Sequence, residues 1–129
     1  MAKQIINPST MAPPPGYSYA VKKTGTPVFI AGQVAIDGQG HIVGEGDPAA
    51  QAEQAFQNLR TVVEACGGTM ADIVKMNIYV TTPSCRAAIV AARNRYFPEG
   101  EYPASTYVIV AGLALPSLLL EVEAVAMIA

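Results

Sequence analysis

The sequence has 129 residues, the size of one ordinary domain, so we expect a single domain over residues 1–129. Hydrophobic residues make up 51% and charged residues 14%, which excludes a disordered chain and a highly charged one. Eight basic and ten acidic side chains give a net charge of −2, so we expect no nucleic-acid partner.

The first third of the chain has the pattern of strands joined by turns. Residues 13–16, three prolines and a glycine, predict a rigid lead-in that positions Tyr17. A strand-like pattern occupies residues 19–34. Asp37-Gly38 then predicts a hairpin turn, with residues 41–43 as a short return strand.

A first helix is predicted to begin at Asp47, an N-cap residue followed by Pro48 at the first helical position. Spacings of three and four place Ala52, Phe56, Leu59, Val63 and Cys66 on an apolar face and Gln51, Gln54, Asn58 and Glu64 on a polar face. The glycine pair at residues 67–68 ends the helix.

The second half of the chain predicts a strand, a helix and two more strands. The strands are expected at residues 73–82, 105–110 and 118–128, the helix at residues 83–97, and an apolar loop at 111–117. The order of strands, helix, strand, helix and strands predicts an α+β domain with both helices on one face of a mixed sheet.

The last strand carries two acidic residues in an otherwise apolar segment. Alternation predicts one face with Leu120, Val122, Ala124 and Ala126 and the opposite face with Leu119, Glu121, Glu123, Val125 and Met127. Because both faces are largely apolar, we expect helices to cover one and another subunit to cover the other. From the residues alone, Glu121 and Glu123 are most simply interpreted as hydrated residues at a subunit seam, matched by a neighbour's basic side chains.

Neither a metal site nor a reactive thiol is predicted. Cys66 and Cys85 lie outside any His/Cys cluster, so we expect reduced, packed thiols. The single histidine, His41, follows a Gly-rich turn without an obvious acidic partner, which argues against metal ligation and against a Ser-His-Asp arrangement. From these residues we therefore expect no metal.

The apolar segments are too short for a membrane span of about 18 residues, and residues 1–4 lack the apolar core of a secretory signal. We therefore expect a soluble, cytoplasmic protein with no membrane partner. The remaining candidates are Tyr17, which is typical of a half-buried packing residue, and Arg86, Arg93 and Arg95, which are typical of a solvated helix face. Composition and spacing alone predict no particular activity.

Five segments together resemble a known family. They are residues 16–21 (GYSYAV), 28–33 (VFIAGQ), 54–59 (QAFQNL), 75–81 (KMNIYVT) and 120–126 (LEVEAVA). In this order, and over nearly the whole chain, they resemble the Rid family (RidA/YjgF-like), the reactive intermediate deaminases also called L-PSP endoribonucleases.

The resemblance implies a chorismate-mutase-like fold of the bacillus type that assembles as a homotrimer, with three small-molecule clefts between subunits. Active members hydrolyse small enamines or imines derived from amino acids to 2-keto acids and ammonia, without a cofactor or a metal. In them, an arginine directly after a Pro-Ala pair binds the substrate carboxylate. A glutamate of the last strand holds the attacking water.

The decisive departure from this pattern is Ser105, which stands where the active branch has the arginine. A hydroxyl donates one hydrogen bond but supplies no charge. Val90 likewise stands where many members have an asparagine. The resemblance implies Glu121 and Tyr17 as catalytic residues and, as substrate-binding residues, Ala31, Gly32, Val90, Ser105 and Tyr107.

Three functions remain open from the sequence. The first is an enamine or imine hydrolase for a substrate other than the usual 2-imino and 2-enamino acids. The second is a non-catalytic module that binds a small metabolite, and the third, a ribonuclease, is disfavoured by the net charge. If the protein hydrolyses 2-iminopropionate all the same, another cation such as Arg93 or Arg95 must bind the carboxylate.

Overall fold

A four-stranded mixed sheet carries two helices on one face in the computed structural model, which describes residues 3–129. The elements are β1 (Gln4–Ile6), β2 (Ala20–Lys22), β3 (Thr26–Gln33), α1 (Pro48–Ala65), β4 (Ile73–Val80), α2 (Arg86–Tyr96), β5 (Ala104–Ile109) and β6 (Leu120–Ile128). The sheet has the order β3-β6-β4-β5, with β4 and β5 parallel and the other pairs antiparallel. The predicted α+β class with a mixed sheet is therefore confirmed. No helix of residues 3–129 is long and apolar enough to cross a membrane.

The first helix begins where the sequence predicts. Asp47 caps it by accepting a hydrogen bond from the backbone N–H of Ala50 at 3.2 Å, and Pro48 occupies the first position. Its apolar face, Ala52, Phe56, Leu59 and Val63, is fully buried in the core against the sheet.

Gln51, predicted on the polar face, is instead completely buried. Its side-chain amide donates to the carbonyl of Ser117 at 2.9 Å and accepts from the backbone N–H of Leu119 at 2.8 Å. These bonds hold the loop before β6 against α1. The prediction was wrong because periodicity treats every amide as solvated, whereas a hydrogen-bonded amide can be buried.

The two cysteines differ in their surroundings. Cys85 is buried, as predicted, and burial raises the pKa of its thiol. Cys66, predicted to be packed, is exposed. It is the residue that caps α1, and the chain leaves helical geometry there, so its side chain no longer lies on the apolar face. Both thiols are free.

The turn after β3 is wider than predicted. Residues 41–43 form no strand, and the only pairing there is a single bridge between Ile36 and Ile42. Asp37 closes the turn by accepting hydrogen bonds from the backbone N–H groups of Gln39 and His41, each at 2.9 Å. His41 also has the acidic neighbour that the sequence did not reveal, with Nδ1 4.0 Å from Asp37 Oδ2.

Alternation along β6 places its side chains as predicted, except that Leu119 precedes the strand and packs against the core instead of lying beside Glu121. Leu120, Val122, Ala124 and Ala126 are buried beneath the helices. The opposite side of the sheet, which we call the open face, carries Glu121, Glu123, Val125 and Met127 together with Phe29, Lys75, Asn77, Tyr79, Thr106 and Val108 from neighbouring strands. Phe29 is 79% exposed and Val108 39% exposed. The open face is thus less apolar than β6 alone predicts.

Candidate functional site

A cleft of about 330 Å³ lies between α2, β5 and the segment before β2, and we call it the α2 cleft. Four of the residues predicted for the site line it, and they come from three separate elements. The cleft is lined by Tyr17, Val90, Ser105 and Tyr107, with Arg86 and Arg93 beside them.

Tyr17 is brought to the cleft by hydrogen bonds of the next residue. Ser18 donates from its backbone N–H to the carbonyl of Pro103 at 3.1 Å, and from its hydroxyl to the carbonyl of Tyr102 at 2.5 Å. A bridge between Ser18 and Ala104 continues this contact into β5. The segment before β2 is therefore anchored beside the strand that carries Ser105.

Ser105 and Tyr107 face α2 because of their register in the sheet. They pair with Met76 and Ile78 of β4, both buried on the helix side. The hydroxyl of Tyr107 is buried and has no hydrogen-bond partner within residues 3–129. Burial raises the pKa of this phenol, and the neighbouring Cys85 adds to the effect.

Arg86 and Arg93 lie on the same side of α2 as Val90, at spacings of four and three residues. The Arg93 guanidinium lies against the backbone of Gly16, which has φ +76° and no room for a Cβ, and 5.0 Å from the centre of the Tyr102 ring. Arg86 lies 5.8 Å from the centre of the Tyr107 ring. The expectation of a solvated face was wrong for Arg93, which is partly buried. In the sequence, the spacings of four and three residues from Val90 could have indicated that Arg86 and Arg93 share its face of the helix.

The α2 cleft has an excess of positive charge. In the described part of the chain, neither Arg86 nor Arg93 lies within 4.0 Å of a carboxylate. Burial lowers the pKa of Arg93, and the like charge of Arg86 lowers it further. Arg95 differs, because its Nη2 is paired with Glu53 Oε2 at 2.5 Å, away from the cleft.

Glu121 lies on the open face, on the other side of the sheet from the α2 cleft. It pairs in register with Tyr79 of β4, and its carboxylate lies against Gly32 so closely that a Cβ at residue 32 would collide with it. With any other residue at position 32, the flexible Glu121 side chain would have to move from this position. Ala31, Gly32 and Glu121 form the second group of predicted site residues.

The two glutamates of β6 differ in their partners. Glu123 accepts hydrogen bonds from the hydroxyl of Tyr79 and, at 3.2 Å, from the amide of Asn77. The bond to Glu123 raises the pKa of Tyr79. Among residues 3–129, none donates a hydrogen bond to the Glu121 carboxylate, so Glu121 is available for a ligand while Glu123 is engaged in the fold.

The predicted site residues thus form two half-sites that a single chain does not bring together. Tyr17, Val90, Ser105 and Tyr107 lie on the helix side of the sheet, and Ala31, Gly32 and Glu121 lie at the open face. Within the described chain, no group of three or more His, Cys, Asp or Glu side chains could hold a metal ion.

Comparison with known proteins gives the family. Residues 8–128 match the family model described as Endoribonuclease L-PSP. A protein of the conserved Rid family from Yersinia pestis, YyfB, is 40% identical, with 99% of this chain and 100% of that chain covered and a TM-score of 0.92. The chain belongs to the Rid family.

Two further solved structures are similar over most of their length. RidA from an Antarctic Psychrobacter is 36% identical, with 91% of this chain and 92% of that chain covered and a TM-score of 0.73. A putative endoribonuclease from Thermotoga maritima is 30% identical, with 98% of each chain covered and a TM-score of 0.73. The YyfB structure is described as a protein of unknown function, so Rid membership establishes the fold and leaves the reaction to be argued from the half-sites.

Proposed function

We propose that this Rid-family protein is a homotrimeric hydrolase of imines or enamines whose active site forms between two subunits. The α2 cleft of one subunit would hold the substrate, and Glu121 of the next would hold the water. The observation that carries the proposal is the free carboxylate of Glu121, buttressed by Gly32 on the opposite side of the sheet from Ser105.

The open face supports the subunit contact. It exposes Phe29 and Val108 beside the partly exposed Val125 and Met127, and apolar surface of this kind is stabilised by burial against a partner. Its polar side chains are largely matched already, since Lys75 donates to Thr106 at 3.0 Å. We propose that the neighbour covering this face also brings its α2 cleft to Glu121.

The chemistry needs a positioned water and a place for a proton. Glu121 would accept a proton from the water as the water oxygen bonds to the carbon of a protonated C=N group, while the π electron pair moves to nitrogen. Glu121 would then give that proton to the amine nitrogen. The C–N bond breaks as the hydroxyl group loses its proton to solvent, so ammonia leaves and a carbonyl remains. Tyr17, at the cleft, would orient the substrate.

The substrate should differ from the short 2-imino acids. Ser105 faces the α2 cleft but offers a neutral hydrogen bond where a bidentate cation would hold an α-carboxylate. We therefore expect little hydrolysis of 2-iminopropionate or 2-aminoacrylate by the unaltered protein. Ser105→Arg should bring about a ten- to hundredfold gain for these two compounds.

The test is ammonia release from imines generated in the assay by an amino-acid oxidase, over amino acids that differ in size and charge. At least one imine should be hydrolysed faster than in buffer, and Glu121→Gln should lower kcat by about a hundredfold or more. Glu123→Gln is the matched control, because it changes the neighbouring carboxylate and should retain turnover. No acceleration for any imine would contradict the proposal.

A small-molecule binding module is the second candidate, favoured by the loss of charge at residue 105. It predicts ligand binding that Glu121→Gln leaves intact, with no turnover. A ribonuclease, the activity in the description of the family model, has less support, since a net charge of −2 gives no long-range attraction to a phosphate backbone.

A further inference from the structure

The α2 cleft holds two arginines without a matching acid. Arg86 and Arg93 line both this cleft and an adjoining hollow of about 860 Å³, together with Tyr17 and Val90. They are seven residues apart, about two helical turns, so their guanidinium groups approach the shared space from the two ends of one helix face. Glu99 lines the adjoining hollow but lies more than 4.0 Å from either guanidinium.

Two positive charges that lie close together repel each other, so this arrangement is electrostatically unfavourable. Arg93 is partly buried, and Arg86 repels it, which is reflected in the lowered pKa of Arg93. A buried cation is normally compensated by an acid, and here even the exposed Arg95 of α2 has one, Glu53 of α1. Stacking against Tyr102 and Gly16 fixes Arg93 in place but supplies no counter-charge. A bound anion would supply it.

The hydroxyl of Tyr107 is the third feature of the cleft. It is buried and has no acceptor among residues 3–129, and a buried hydroxyl without a partner is unfavourable. Its ring lies beside Arg86. A ligand oxygen placed between the two would accept a hydrogen bond from each.

We propose that Arg86, Arg93 and Tyr107 bind an anionic group of the ligand that lies away from its reacting carbon, and that the ligand is a dianion. This inference rests on the proposed function, because it places the ligand in the same α2 cleft. It specifies the substrate class as imines of acidic or otherwise doubly charged acids. The anion is held from the α2 side, since Ser105 on β5 carries no charge. The two guanidinium groups beside the cleft carry a total charge of +2, which balances the total charge of a dianion even though both contact its remote group. The adjoining hollow leaves room for a chain longer than three carbons.

The experiment measures binding by calorimetry, with product-like keto acids that cannot be hydrolysed, on the purified assembled protein. The probes are 2-oxoglutarate, pyruvate and inorganic phosphate. We expect 2-oxoglutarate to bind about tenfold or more tightly than pyruvate. Arg93→Gln and Arg86→Gln should each weaken 2-oxoglutarate about ten- to hundredfold, and Tyr107→Phe, which keeps the ring beside Arg86, should weaken it severalfold.

The matched control is Arg95→Gln, which removes a positive charge two residues from Arg93 but outside the cleft, and it should leave binding unchanged. Equal affinity for pyruvate and 2-oxoglutarate, phosphate binding as tight as that of 2-oxoglutarate, or equal losses in Arg86→Gln and Arg95→Gln would each overturn the inference. Because Arg93 packs on Gly16, the exposed Arg86 provides the test if Arg93→Gln fails to fold.

The two proposals fail separately. If 2-oxoglutarate binds as expected but no imine is hydrolysed, the anion site stands and the hydrolase does not. If imines are hydrolysed with dependence on Glu121 but without dependence on Arg86 and Arg93, the hydrolase stands and the anion site does not.

Discussion

The α2 cleft and the open face of the sheet differ in which of their charged side chains have partners. In the cleft, Arg86 and Arg93 lie on one face of α2 without an acid within 4.0 Å in residues 3–129. On the open face, Glu123 is tied to Tyr79 and Asn77, and only Glu121 lacks a hydrogen-bond donor among the described residues. One region is left with unmatched positive charge and the other with an unmatched carboxylate.

This difference identifies which charges serve the fold and which are available for a ligand. Paired groups such as Glu123, or Arg95 with Glu53, have already exchanged water for protein partners. Glu121, Arg86 and Arg93 have no oppositely charged partner among the described residues, although Arg93 donates to the neutral Oδ1 of Asn94. The glutamate and the two arginines lie on opposite sides of one sheet. Under the proposed function, the two regions would complement each other when they belong to different chains.

The largest expected effect comes from mixing two inactive variants. Glu121→Gln disables the open-face half-site, and Val90→Trp fills the α2 cleft with an indole. If sites form between subunits, trimers assembled from equal amounts of both should recover about a quarter of wild-type imine hydrolysis, because one interface in four pairs two unaltered halves.

The control mixes wild-type protein with the double variant Glu121→Gln/Val90→Trp. Sites between chains predict about a quarter of wild-type activity, and sites within one chain predict about a half. If the mixture of the two single variants shows only background hydrolysis, the whole site lies within one chain and the two half-sites do not combine across subunits. Both variants must sediment as wild type does for the result to count.

A smaller effect should separate the two glutamates of β6 in stability. Glu123→Ala removes the acceptor for Tyr79 and Asn77, so we expect the free energy of unfolding to fall by about 2 kcal/mol. Glu121→Ala removes no hydrogen bond and should change it by less than about 0.5 kcal/mol. Thermal unfolding at one protein concentration measures both. A larger loss for Glu121→Ala would indicate a structural ion pair at a subunit seam.

The smallest effect concerns a paired charge far from both half-sites. Burial opposes ionisation of Asp72, but hydrogen bonds from Lys23 and the backbone N–H of Thr69 outweigh it, so the pKa of Asp72 is lowered. A lowered folded-state pKa stabilises the protein above the unfolded value, near 4, and this contribution is lost as pH falls through the folded-state pKa.

We therefore expect Asp72→Asn to lower the free energy of unfolding by about 0.5 to 1 kcal/mol at pH 7. The variant should also lose less stability than the wild type as the pH falls from about 4 to about 2. Urea unfolding at a series of pH values checks this. The same stability loss at pH 7 and at pH 2 would show that the ion pair contributes nothing and that Asp72 acts only as the cap bonded to Thr69.

The amino-acid sequence by itself determined the elements and their faces. Asp47 and Pro48 mark the start of α1, and the strict alternation of β6 separates Leu120 from Glu121 because successive side chains of a strand point to opposite sides. The five segments between residues 16 and 126, taken together, were sufficient to indicate the Rid family. These features are local, so a periodic pattern or a short motif reports them directly.

Only the tertiary structure decided which side chains have partners. Helical periodicity predicts that Gln51 lies at the surface. It is buried instead, because Ser117 and Leu119 supply its hydrogen bonds from a distant part of the chain. Glu121 and Glu123 look alike in the sequence and differ through Asn77 and Tyr79.

The arginines of α2 show the same limit. Arg93 and Arg95 are equivalent by composition, but packing places Arg93 against Gly16 in the cleft and pairs Arg95 with Glu53 on α1. Helical spacing determines the direction in which a side chain points. The charge it meets there depends on residues far away in the chain, which only the folded structure brings near.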